Sequence, residues 1–119
     1  MKLSSPVQLQ LRVKFAASTA FGPGKAELLA HIAQTGSISA AARAMRMSYK
    51  RAWRLVDDMN HAFRSALVTT AAGGAKGGGA ALTASGKRVL AAYSSLHAAA
   101  SSAGRRELNV LARLARAQK

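Results

Sequence analysis

Residues 35–54 read TGSISAAARAMRMSYKRAWR, and two of the serines in this stretch, Ser37 and Ser48, decide the fold. Gly36 is a helix stop, because glycine enters the left-handed conformation that ends helices without a steric penalty. Ser37 then stands as the N-cap of a short helix over Ile38 to Met45, whose inner face is Ile38, Ala41, Ala42 and Met45. Its alanines permit close helix approach. Ser48 is a second cap, opening a helix that runs to about Phe63. At about 100° per residue, Ala52, Leu55, Val56, Met59 and Phe63 share one face of it, and Lys50, Arg54, Asp57 and His61 lie opposite.

Working outward, Lys25 to Gln34 carries Leu28, Leu29, Ile32 and Ala33 at helical spacing, after a break at Gly22-Pro23-Gly24. Further upstream, VQLQLRVKF from Val7 to Phe15 alternates apolar and polar residues, the period of a half-buried strand. Downstream, Ala66 to Ala71 and Ala80 to Leu82 read as strands joined by a glycine-rich loop over Gly73 to Gly79, a β-hairpin. Thr83 caps a fourth helix that turns Val89, Leu90, Tyr93 and Leu96 inward. The pattern fades from Ala98 to Gly104. It resumes in a basic helical segment, Arg105 to Lys119, with Leu108, Leu111 and Leu114 on a stripe. There is no internal repeat. The expected fold is mainly α with a small β-hairpin: a winged helix-turn-helix over residues 1–104, including an N-terminal strand, and a helical C-terminal extension over 105–119.

Composition narrows the partner. The 119 residues carry 18 Lys plus Arg against 4 Asp plus Glu, a net charge of +14, and the isoelectric point is near 11.8. A surface so basic repels itself until polyanions neutralise it, so nucleic acid leads and an acidic membrane surface follows. Alanine accounts for 28 residues, which leaves a thin core that dimerisation would help. Absence of cysteine removes disulfides and thiolate metal sites, and no apolar run is long enough to span a bilayer. These features predict a cytoplasmic protein with no membrane association.

The residues that carry chemistry cluster at the start of the third helix. Lys50 and Arg54 lie four residues apart, where like charges repel by a few tenths of a kcal/mol and so call for an anion. Asp57 and Asp58 follow Arg54 at helix-pair spacing, but an exposed pair of that kind contributes roughly 0–1 kcal/mol. In a helix-turn-helix this face meets base edges and phosphates. Arg51 or Arg54 suits the O6 and N7 atoms of guanine, and Lys50 suits either a guanine or a phosphate. Ser48 and Tyr49 offer hydroxyls to phosphates, Ser48 provided that capping leaves it free. Trp53, at the border of the buried face, is expected to pack against the hairpin or the first helix rather than touch bases.

The loop GGAKGGG, residues 73–79, is not a phosphate-binding P-loop, whose lysine precedes Ser or Thr at a helix start. As a wing lying on the sugar–phosphate backbone it makes sense: glycine removes bulk and Lys76 supplies charge. Lys87 and Arg88 open the fourth helix on the wing side, within reach of phosphates. No catalytic constellation emerges. Asp57 and Asp58 diverge on their helix, and His31, His61 and His97 are scattered without metal-site spacing, so neither enzyme activity nor cofactor nor metal is expected.

Taken together, the run from Thr35 to Trp53, the Asp58-Met59-Asn60 step and GGAKGGGAALT with Gly86 after it resemble the N-terminal DNA-binding domain of ModE-type molybdate-responsive transcription regulators. The similarity covers about Val7 to Leu96. It implies a regulator that binds palindromic double-stranded DNA as a homodimer. Full-length members carry molybdate-sensing β-barrel modules that have no counterpart up to Lys119, so molybdate sensing is not carried over and no effector is indicated. Where similar sequences have glycine in the turn, this one has Arg46. If that position needs positive φ, arginine costs on the order of 1 kcal/mol, which a phosphate contact would offset. The other readings are a nonspecific architectural DNA-binding protein, and a module that recruits protein or membrane through the C-terminal leucine stripe.

Overall fold

The computed structural model describes residues 7–15, 19–71 and 79–116. The elements are β1 (Val13–Lys14), β2 (Ala20–Phe21), α1 (Pro23–Thr35), α2 (Ile38–Ala44), α3 (Tyr49–Ala62), β3 (Val68–Thr70), β4 (Ala80–Leu82), α4 (Ala84–Ala103) and α5 (Arg105–Leu114). Two antiparallel two-stranded sheets form, β1 with β2 and β3 with β4. The order is that of a winged helix-turn-helix.

The three hydroxyl caps read from the sequence are present. Ser37 Oγ accepts from the Ala40 amide at 3.0 Å, Ser48 Oγ from the Arg51 amide at 3.0 Å, and Thr83 Oγ1 from the Gly86 amide at 2.9 Å. Gly36 ends α1 with φ 73°. Pro23 does not break the chain: it begins α1, where a missing amide proton is no loss and a fixed φ is already helical.

The core gathers α1, α2, α3 and the hairpin around the fully buried Leu28, Leu29, Ile32, Val56, Met59 and Leu67. Ala41 and Ala52 are completely buried, which lets α2 and α3 approach as their small side chains suggest. Edge-to-face contacts from Phe63 to Phe15 (5.1 Å) and Phe21 (6.2 Å), and from Phe21 to Tyr93 (5.2 Å), extend this packing towards the N-terminal segment and α4.

Three expectations change. The segment from Val7 to Phe15 alternates in burial as a strand should, yet only Val13 and Lys14 join a ladder, opposite a β2 that the sequence did not reveal. Upstream of that ladder, the Tyr93 hydroxyl donates to the Leu11 carbonyl and His97 Nε2 to the Leu9 carbonyl, both at 2.7 Å, so α4 side chains take the place of a partner strand. The helix assigned to Thr83 continues through the alanine-rich stretch to Ala103 and ends at Gly104. Finally, Ala33 and Leu96 are exposed rather than inward.

Two polar clamps fix the hairpin. Asn60 Oδ1 accepts from the amides of Leu67 (2.8 Å) and Val68 (3.1 Å), while its Nδ2 donates to the Val68 carbonyl (3.1 Å). The Thr83 hydroxyl donates to the Ala66 carbonyl at 2.7 Å. The Ala80 amide donates to the Gly36 carbonyl at 2.9 Å, tying β4 to the end of α1. The hairpin is therefore held by both α3 and the helix-turn-helix entrance.

Candidate nucleic-acid interface

α3 is oriented by its buried side. Ala52, Val56 and Met59 sit in the core, and this fixes the direction of the remaining residues. Lys50 and Arg54 form the exposed crest, and Arg51 is exposed on the flank that shares a cleft with Arg12, Lys25, Met47, Leu55 and Asp58. No acid occupies the first turn of α3, where the positive end of the helix dipole disfavours cations. The ion pairs from Arg54 to Asp57 or Asp58 do not form. Among the described residues the one contact between an acidic and a basic side chain joins His61 Nδ1 to Asp57 Oδ1 at 3.5 Å, and the same ring nitrogen donates to the Asp57 carbonyl at 2.8 Å. Lys50, Arg51 and Arg54 thus present their charges to solvent with no protein partner among those residues.

Ser48 combines two roles. Its oxygen accepts the capping bond from Arg51, and a hydroxyl that accepts still has its own proton to give. Tyr49 is 54% exposed beside it, in edge-to-face contact with Trp53 at 6.2 Å. Trp53 is 36% exposed and borders a cleft with the α2 N-terminus and the hairpin, so its hairpin-side placement agrees with the sequence reading while its exposure exceeds it.

The turn between α2 and α3 supplies the next cation. Arg46 has φ 57°, the one left-handed non-glycine residue among those described, and its side chain is exposed. The turn holds because the Met47 amide donates to the Ala42 carbonyl at 3.0 Å and the Arg46 amide to the Arg43 carbonyl at 3.1 Å. Lys87 is exposed on the first turn of α4 and has no acidic partner among the described residues. Its neighbour Arg88 lines a cleft with Arg64, a cation that the sequence reading left out because only folding brings residues 64 and 88 together. Lys76 lies outside the described residues. Asn60 was also missed as a functional support, since its partners become neighbours only when the chain returns from α3 into β3.

Among the described residues no cluster of His, Asp and Glu could hold a metal, and no helix is long and apolar enough to cross a membrane. The histidines stay apart: His97 bonds the N-terminal segment, His61 bonds its own helix, and His31 is half-buried on α1.

Residues 24–87, from α1 to the start of α4, match the family described as bacterial regulatory helix-turn-helix protein, lysR family. The chain is 45% identical over 77 residues to the molybdenum-pterin-binding protein MopB of Rhodobacter capsulatus, covering 65% of this chain and 28% of that protein. It is 41% identical over 78 residues to the molybdenum transport protein ModE of Azotobacter vinelandii, covering 66% and 29%. To the DNA-binding transcriptional dual regulator ModE of Escherichia coli K12 it is 39% identical over 74 residues, covering 62% and 28%. The similarity to ModE-type regulators read from the sequence therefore stands. The aligned part is under a third of each of these three relatives.

Proposed function

The chain belongs to the lysR family of bacterial regulatory helix-turn-helix proteins, and from that premise we propose that it acts as a homodimeric transcription regulator recognising a palindromic operator. α3 lies in the major groove with Lys50 and Arg54 at base edges and Arg51 on its flank. Ser48, Tyr49, Arg46 and Lys87 hold phosphates, and Lys76, from the glycine-rich loop that follows β3 in the sequence, supplies charge to the DNA backbone. The winged helix-turn-helix unit spans residues 1–104, with 105–119 as a basic helical C-terminal extension. No effector enters this reading: molybdenum is in the names of MopB and of the Azotobacter ModE, of which the aligned part is 28% and 29%.

The observation that carries it is the α3 crest. Two cations at repelling spacing, on a helix start without an acid and without a protein counter-ion among the described residues, carry a small electrostatic cost that a bound polyanion would offset. Dimerisation draws support from the C-terminal helices: Leu96, Val110, Leu111 and Leu114 are all exposed, and α5 has no buried residue.

Operator sequences selected from a random duplex pool provide the test. Replacing Lys50 and Arg54 together by alanine is expected to remove most of the preference for the selected site over random duplex, since each base contact contributes about 1–3 kcal/mol of discrimination. Helix content by circular dichroism should be unchanged. Full discrimination by the double variant would assign recognition elsewhere.

A further inference from the structure

Beside the α3 crest lies a small cleft of about 230 Å³ where α2, α3 and the hairpin meet. Its wall is the Tyr49–Trp53 aromatic pair. Its rim carries the hydroxyls of Ser37, Ser39 and Thr70 together with that of Tyr49, and among the described residues no charged side chain lines it. Ser37 accepts the α2 capping bond and Ser39 accepts from Arg43 Nη1 at 3.1 Å, which leaves the proton of each available. The Tyr49 and Thr70 hydroxyls bond no described residue. An aromatic wall ringed by hydroxyl donors suits a ligand with an apolar face and anionic oxygens next to it.

We infer that this cleft seats one deoxyribose–phosphate unit of a DNA strand, with the sugar against Trp53 and the phosphate oxygens accepting from the hydroxyl rim. The inference rests on the DNA-binding reading above and adds a second contact type to it. Tyr49 and Trp53 lie about 100° around α3 from the Lys50–Arg54 crest. When a helix directs its crest to base edges, a flank at that angle faces the strand backbone. The seat therefore reads no sequence, and because Trp53 is uncharged its own contact adds nothing to the salt dependence, which follows the number of phosphates neutralised by Lys and Arg.

Trp53 is the one tryptophan of the sequence, so its emission reports on the seat directly. Because backbone is common to all duplexes, a short random-sequence duplex is a sufficient probe. The full chain is titrated with end-labelled duplex, following label anisotropy for binding and acrylamide quenching of Trp53 for accessibility. Quenching should fall severalfold in step with binding, and to the same extent with random and selected duplex. Trp53→Ala should weaken both duplexes by about tenfold with an unchanged salt slope, and Trp53→Phe should restore most of the loss. A saturated complex in which Trp53 quenches as in the free protein would sink the seat while leaving DNA binding intact. Protection seen only with selected duplex, and lost when thymine is replaced by deoxyuridine, would turn Trp53 into a base-edge contact and also end the proposal. If no duplex binds, both readings fall.

Discussion

The segment from α1 to β4 and the segment from α4 to α5 are made of similar residues, both rich in alanine with leucine at helical spacing, and yet they fold to opposite ends of the burial scale. Nearly all the buried apolar residues lie between Phe21 and Ala80, whereas α4 buries only Gly86 and α5 buries nothing. The first segment closes on itself because its helices are short and its alanines face one another, so three helices and a hairpin share one interior. The second is long and meets the core along one side. Its radius of gyration shows the consequence for the whole chain: 16.8 Å, against about 13–14 Å for a compact domain of this length. The first segment is a finished interior and the second an apolar surface awaiting one.

The join between them is the most sensitive point. Gly86 enters α4 directly against the hairpin, where a Cβ would overlap the Leu67 carbonyl oxygen, a backbone atom that cannot swing aside. Gly86→Val is expected to cost about 3 kcal/mol, read as a lowered urea midpoint, because either α4 lifts away or the β3 entrance moves. A variant as stable as the parent would mean that α4 does not depend on this contact and that the contrast between the two segments has no hinge.

Much of this was legible in the sequence, and the failures have a common cause. Ser37, Ser48 and Thr83 were readable as caps because capping is decided within four residues, and the inner faces of α2 and α3 follow from spacing alone. Periodicity also gave the correct burial for Val7 to Phe15. It did not give the pairing, because the carbonyls of Leu9 and Leu11 are satisfied by side chains 88 and 82 residues away. The same holds for the Asn60 clamp, the Arg64–Arg88 cleft and the Tyr49–Trp53 cleft: each is a property of elements that meet in space. Helical spacing puts Leu96 in line with Val89, Leu90 and Tyr93; those three pack against the core, while Leu96 stays 47% exposed.

Within the finished segment, Arg46 is the exception to its own economy. Holding arginine at φ 57° costs about 1 kcal/mol more than glycine in the folded state, part of which glycine returns through its greater freedom when unfolded. Arg46→Gly is therefore expected to raise stability by about 0.5 kcal/mol, a small rise in Tm, while reducing the salt slope of DNA binding by about one phosphate. Opposite signs for stability and binding would identify strain kept for function. An unchanged salt slope would leave the arginine without a reason, as nothing else in the described structure engages its side chain.

The smallest effect on monomer stability is expected at the far end of the second segment, and there it is most informative. Leu111 and Leu114 are 55% and 78% exposed, so replacing both with serine removes little buried area and should change the unfolding free energy of a monomer by less than about 0.5 kcal/mol. If α4 and α5 supply the interface of the proposed homodimer, the same substitution has to be felt at association: mass by sedimentation should fall from dimer to monomer, and the apparent melting temperature should lose its dependence on protein concentration. The two readouts separate the two explanations for an apolar stripe. A residue packed inside its own chain shows its loss in stability at any concentration, whereas a residue that packs across an interface shows it only where a second copy is available. A dimer that survives the double substitution would move the interface to the N-terminal segment or α1, and the α5 stripe would no longer be the surface that completes the fold.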